Sequence, residues 1–307
     1  MYRFEFEWKI LDFFHDINCD FLTALFYFIT EFGAEEIAIV ILAAIYFCYN
    51  KDIAKTLGYV CINSMMLNSV TKSLFLADRP FQYEGKEYLR VLDEAKDGAT
   101  GTSFPSGHSQ SAGALYTSLI ILLKNKWIRI ISAILLVLVP ISRVYLGVHF
   151  PGDIVIGLLL GVGTALLGTF LISFFKKKGY SLYILYSISL IIFLPFVIFN
   201  ITNPLVSATF KAYGLYIGFV LGCLIEEKKV NFDYNVKWYY KLIRIVVGAI
   251  IIIGIKSGIK EVFNMINFIP KNLLDLVRYL LISLVGIGIF PLIFKKYEKK
   301  CVKIDDK

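Results

Sequence analysis

From residue 18 onward, apolar runs of about twenty residues alternate with short polar intervals. A run of that length crosses a hydrocarbon core of about 30 Å as a helix. None of the runs shows the apolar–polar alternation of a barrel strand, and open backbone finds no water partner in lipid. The pattern therefore predicts an all-α, polytopic transmembrane helix bundle. The first 17 residues are different, since Phe4, Phe6, Trp8, Ile10, Leu11, Phe13 and Phe14 interleave with Arg3, Glu5, Glu7, Lys9, Asp12 and Asp16. They are too polar for a signal core, and they predict an interfacial amphipathic helix over 1–17.

The remaining chain divides by its spans. A helical hairpin is expected near 21–30 and 37–49, across the acidic turn 31–36, followed by a third span over 56–75. The polar interval 81–102 is a loop, placed to act as a lid over the neighbouring site. A fourth span starts at Pro105 and runs to 123, a fifth reaches Val148 and a sixth covers 153–175. Residues 18–178 thus form a six-span core, closed by Lys176, Lys177 and Lys178. Residues 179–307 add about four further spans, near 180–200, 205–225, 242–260 and 272–294. Lys256, Lys260 and Glu261, near the end of one of these, read as snorkelling side chains.

Composition and charge sharpen this picture. Of 307 residues, 57% are hydrophobic and 18% charged, with a mean hydropathy of +0.68. That excludes a pair of soluble domains. The net charge of +8 does not point to nucleic acid, because the cations occupy short loops and build no continuous basic face. They suit anionic membrane lipids instead. The loops around Lys51, Lys124, Lys176, Lys228 and Lys295 fall on one side of the bilayer, which makes that side cytoplasmic and puts both termini there. Five cysteines with no C-x-x-C spacing imply neither disulfides nor zinc, and no segment calls for a cofactor. The Lys- and Ile-rich, Pro-poor composition is of bacterial type.

Three polar segments then land together on the extracytoplasmic side: Lys72 to Pro80, Pro105 to His108, and Ser142 to Asp153. Lys72, Arg79 and Arg143 concentrate positive charge where water is scarce, and guanidinium forks match phosphate oxygens. Ser106 and Gly107 open a helix whose free N–H groups favour an anion. The ligand these residues imply is a phosphate. In His149-x-x-x-Asp153 the carboxylate can orient a neutral imidazole for attack on phosphorus, which leaves His108 to protonate the leaving oxygen. Three cations suffice to neutralise the transferring group, so no metal is needed.

These segments, Lys72-x(6)-Arg79-Pro80, Pro105-Ser106-Gly107-His108 and Ser142-Arg143-x(5)-His149-x(3)-Asp153, resemble in order and spacing the three signatures of the type 2 phosphatidic acid phosphatase superfamily. The resemblance covers roughly residues 72–175. It implies a membrane phosphatase with a phosphohistidine on His149, oriented by Asp153, with His108 as proton donor and Lys72, Arg79, Ser106, Gly107 and Arg143 holding phosphate. The family's substrates include phosphatidic acid, undecaprenyl pyrophosphate, phosphatidylglycerol phosphate, sphingoid phosphates and glucose 6-phosphate. A site reached laterally from the bilayer favours a phosphorylated lipid. A lipid phosphate binder or transporter, a phosphotransferase and a sugar phosphatase are the alternatives. The sequence does not define an oligomeric state.

Overall fold

The computed structural model describes residues 3–89, 101–201, 203, 207–266 and 268–301, the last five as backbone only. Part of the expected lid, residues 90–100, lies outside the described residues. Each apolar run read as a span holds a helix among its described residues. The helices are α1 (Glu5–Asp16), α2 (Asp20–Glu31), α3 (Glu35–Cys48), α4 (Lys51–Phe75), α5 (Gly107–Leu122) and α6 (Lys126–Tyr145). They continue as α7 (Pro151–Lys178), α8 (Leu182–Ile198), α9 (Ser207–Ile225), α10 (Trp238–Asn264), α11 (Lys271–Leu284) and α12 (Phe290–Cys301). A π-type segment, Glu226–Val230, extends α9, and another, Val285–Ile289, joins α11 to α12.

The helix ends follow local chemistry. Asn125 caps α6, its side chain accepting from Trp127 N at 2.9 Å and Ile128 N at 3.2 Å, which satisfies donors that have no partner inside the helix. Gly179 ends α7 at φ +71°, a conformation open to glycine. Five described stretches are long and apolar enough to cross a bilayer: Lys126–Tyr145, Pro151–Lys178, Ser207–Val230, Trp238–Asn264 and Lys271–Lys296. Helices α2, α3, α5 and α8 are shorter, at 12, 14, 16 and 17 residues. Helix α4 has the length, 25 residues, but Asn63, Ser64, Asn68, Ser69, Thr71 and Lys72 interrupt its apolar face. Ile250 and Ile253 on α10 are 64% and 62% exposed, a surface suited to lipid. The chain is an integral membrane protein.

Two compact units divide the chain. The first comprises Met1–Val40 and Asn63–Leu171. Within it, α6 packs against α2 and α5, and α1 reaches α6. Helices α5 and α7 meet backbone to backbone. A Cβ on Gly161 would lie 2.2 Å from Gln110 O, and one on Gly157 would lie 2.6 Å from Ser106 O. Small residues four apart permit this approach in a membrane helix pair.

The second unit comprises Ile41–Ile62 and Ile172–Lys307. Its centre is the pairing of α9 with α11, flanked by α8 and α10. Two of its buried charged groups, Glu226 and Arg244, are matched internally. The carboxylate of Glu226 takes Lys51 Nζ at 2.7 Å and Lys55 Nζ at 2.8 Å. Buried Arg244 donates to Phe47 O at 3.2 Å and Asp233 O at 2.8 Å, and its guanidinium lies 5.1 Å and 4.9 Å from the ring centres of Phe232 and Phe294.

Candidate active site

The first unit assembles all eight residues singled out in the sequence. Arg79, Ser106, Arg143, His149 and Asp153 are buried, while Lys72, Gly107 and His108 are half-buried. Helix α4 supplies Lys72 from its last turn, and the turn after it supplies Arg79. Helix α5 opens with Gly107 and His108, and α6 ends with Arg143. His149 lies in the connection between α6 and α7, and Asp153 stands in the first turn of α7.

His149 and Asp153 form the centre. Nδ1 of His149 is 3.5 Å from Asp153 Oδ2. Ser103 sits between them, its hydroxyl donating to Asp153 Oδ2 at 2.5 Å and lying 3.4 Å from Nδ1. The other carboxylate oxygen, Oδ1, accepts from Arg3 Nη1 at 2.7 Å, and Phe150 N donates to Oδ2 at 3.1 Å. On the far side of the ring, Nε2 of His149 is 3.1 Å from Arg79 Nη1. A guanidinium has donors only, so Nε2 is the acceptor and the ring proton belongs on Nδ1, toward the carboxylate. Burial and then the Arg79 charge hold the imidazole pKa well below 6.5. The result is a neutral ring with its lone pair turned toward a cation.

The cations are held by backbone and hydroxyl oxygens. Arg79 donates to Val148 O at 2.9 Å and, through Nε, to Gly101 O at 3.2 Å. Lys72 Nζ donates to Thr102 O. Arg143 donates through Nη1 to Thr30 Oγ1 at 2.9 Å, whereas its buried Nε and Nη2 have no partner. A buried donor left unmade costs about 1–3 kcal/mol, more when charged. Such a pair of orphaned nitrogens fits an anion with several oxygens. Lys72, Arg79 and Arg143 are all close enough to His108 for their charges to act there.

Ser106 is the N-cap of α5. Its hydroxyl accepts from Ser109 N at 3.4 Å and from Ser109 Oγ at 3.0 Å, and its backbone N donates to Asp153 O at 3.0 Å. The α5 cap and the first turn of α7 are thereby tied together, and Gly157 is what lets them approach. Gly107 has only Asn68 Oδ1, at 3.4 Å, near where a Cβ would sit.

The sequence reading missed two groups. Ser103 stands just upstream of the Pro105 segment, with no periodic signal to mark it. Glu7 comes from α1 and Arg3 from the residues just ahead of it, far away in sequence. Glu7 is buried and accepts from Gly152 N at 2.9 Å through Oε1, and from Phe4 N at 3.1 Å through Oε2. Trp8 packs edge-on against Phe150, with ring centres 4.9 Å apart. The amphipathic opening thus carries contacts to the His149 loop, whose positions only the tertiary fold reveals. Among the described residues there is no group of three or more His, Cys, Asp or Glu side chains that can hold a metal ion.

Residues 53–179 match the PAP2 superfamily. Residues 210–301 match the PAP2 superfamily phosphatase transmembrane extension. Phosphatidylglycerophosphatase B of Bacillus subtilis is 34% identical over 165 residues, covering 50% of this chain and 71% of that protein. The chain belongs to the PAP2 superfamily. The undecaprenyl-diphosphatase of Sulfolobus acidocaldarius is 36% identical over 143 residues. The match takes in 46% of this chain and spans 66% of that relative's length. The crystal structure of Aquifex aeolicus LpxE is similar with a TM-score of 0.47 and 23% identity, over 54% of this chain and 96% of that one.

Proposed function

We propose that this protein is a membrane phosphatase that hydrolyses a lipid phosphate monoester or pyrophosphate through a phosphohistidine on His149, with no metal. The observation that carries the reading is the buried cation set around a neutral imidazole, in which Arg143 keeps two unpartnered nitrogens. In the proposed reaction the substrate phosphate takes the place of those missing partners, and Arg79 swings its Nη1 from His149 onto a phosphate oxygen. Nε2 then attacks phosphorus in line, forming the N–P bond as the P–O bond to the leaving group breaks. The bound phosphate dianion offsets the charges of Lys72, Arg79 and Arg143 around His108, so that His108 takes up a proton as substrate binds and passes it to the departing oxygen. A water next attacks the phosphohistidine, giving its proton to His108, and the N–P bond breaks to release inorganic phosphate. Asp153 stabilises the Nδ1–H of the ring as positive charge develops, with Ser103 and Arg3 holding the carboxylate in place.

A phosphorylated lipid is the favoured substrate class, of the undecaprenyl pyrophosphate, phosphatidic acid or sphingoid phosphate kind. The names of the two relatives support this, since both act on lipid phosphates. In this reading residues 18–178 are the catalytic core, 179–307 are the additional membrane region, and the site opens on the extracytoplasmic side with the C-terminus cytoplasmic; the N-terminus, expected from the sequence on the cytoplasmic side, belongs instead on the side of the site, because Arg3 binds Asp153. The distribution of Lys and Arg among the loops supports that orientation.

The test is phosphate release by the purified protein in detergent, with chelator present, from a panel of phosphatidic acid, undecaprenyl pyrophosphate, sphingosine phosphate and a sugar phosphate. Turnover should persist with chelator and favour a lipid, and His149→Ala should lower it by roughly 10⁴-fold or more. Wild-type turnover in that variant would refute the nucleophile. Lipid binding without release would favour a binder or transporter.

A further inference from the structure

In the second unit, α9, α10 and α11 enclose a cavity of about 320 Å³, near the lower end of the roughly 300–1,000 Å³ usual for small-ligand sites. Lys211 from α9, Lys256 and Lys260 from α10, and Lys271 and Arg278 from α11 line it. Asp275 is the one carboxylate among the described lining residues. It is already engaged, with Arg278 Nη2 at 2.5 Å, Ser207 Oγ at 3.3 Å and Lys211 Nζ at 3.8 Å. Positive charge therefore exceeds negative around this cavity, and mutual repulsion opposes the arrangement unless an anion enters.

Arg278 makes the deficit specific. It is only 8% exposed, and its Nε is buried with no hydrogen-bond partner. An unmade buried donor on a charged group is costly, and an oxyanion beside it removes the cost. A helix end adds to this. Lys271 is the first residue of α11. Helix N-termini already carry partial positive charge, so a lysine there is unfavourable without a counter-anion. Phe263 and Leu274 complete the wall with apolar surface, which suits the joint between a phosphate and an apolar tail.

We propose that this cavity is a phosphate-binding site, made entirely by the membrane extension and independent of the chemistry at His149. The phosphate belongs either to an anionic lipid headgroup or to free inorganic phosphate. Lys256, Lys260 and Lys271 hold its outer oxygens, and Arg278 contacts it from the floor.

The experiment uses the full-length protein in detergent and the variant Lys256→Gln/Lys260→Gln/Lys271→Gln, whose exposed positions carry little folding risk. Phosphatidylglycerol and diacylglycerol binding are read by native mass spectrometry, and inorganic phosphate binding by equilibrium dialysis. The variant, lacking three lysines, should lose about a hundredfold in affinity for phosphatidylglycerol. Diacylglycerol binding should not change. A loss seen with phosphatidylglycerol identifies a headgroup site, and a loss seen only with inorganic phosphate identifies a free-phosphate site. Unchanged binding of both, or an equal loss for diacylglycerol, would overturn the proposal. Arg278→Gln, matched to wild type by thermal midpoint, should reproduce the loss from inside the cavity.

Discussion

Two of the buried arginines, Arg244 and Arg143, are treated in opposite ways. Arg244 in the second unit is satisfied by two backbone carbonyls and lies against two phenylalanine rings. Arg143 in the first unit has a single hydroxyl partner and two unpartnered nitrogens. The same contrast holds for carboxylates. Glu226 is saturated by two lysines and serves packing, whereas Asp153 is shared among Arg3, Ser103 and the ring of His149. Burying charge is expensive, so a fold that matches its charges internally is using them for structure. A fold that leaves donors unmatched near a nucleophile has left room for a ligand.

That distinction is open to direct attack. The largest effect should come from Arg143→Gln, which removes the proposed phosphate clamp: kcat should fall by about 10²–10³-fold, while the thermal midpoint holds, because an unpaired buried charge has been removed. A fall in midpoint with kcat intact would make Arg143 structural and erase the contrast. Glu226→Ala should do the reverse. Leaving Lys51 and Lys55 without their shared carboxylate should cost about 3 kcal/mol, seen as a thermal midpoint lowered by roughly 6–12 °C, with phosphate release per folded molecule preserved.

Arg3→Gln tests the contact that only the fold disclosed. As a positioning residue acting through Asp153, Arg3 should affect kcat by about tenfold and leave KM unchanged, with partial rescue by Arg3→Lys. A KM effect alone would place Arg3 on the substrate instead. The smallest effect is in pH. His149 must be neutral to attack, and burial with the Arg79 charge holds its pKa below the usual 6.5. As pH falls through that lowered value the ring gains a proton and activity is lost, so the acid limb of kcat/KM should lie below 6.5. Arg79→Gln should move the limb upward, and a limb above 6.5 in the wild type would contradict the placement of the charge.

Much of the fold was legible in the sequence. Apolar runs became helices within a few residues of their expected bounds, because a membrane imposes its demand on each segment separately. The motif residues were legible as well, since Lys72 to Pro80, Pro105 to His108 and Ser142 to Asp153 each carry their own local spacing. The crossings themselves were harder to count. Helices α2, α3 and α5 are short, and the polar face of α4 makes internal hydrogen bonds such as Asn68 Nδ2 to Gln110 Oε1 at 2.9 Å.

What the sequence by itself determined is therefore the helical, membrane-bound class and the set of groups gathered at the site, because hydrophobic length and local spacing are properties of neighbouring residues. Tertiary structure decided how charge is shared. Arg3 meets Asp153 across 150 positions, Ser103 enters between His149 and Asp153, and lysines that read singly as snorkelling side chains meet Arg278 around one cavity. Charge compensation is a sum over everything that packs nearby, whatever its place in the chain, so no window of sequence contains it.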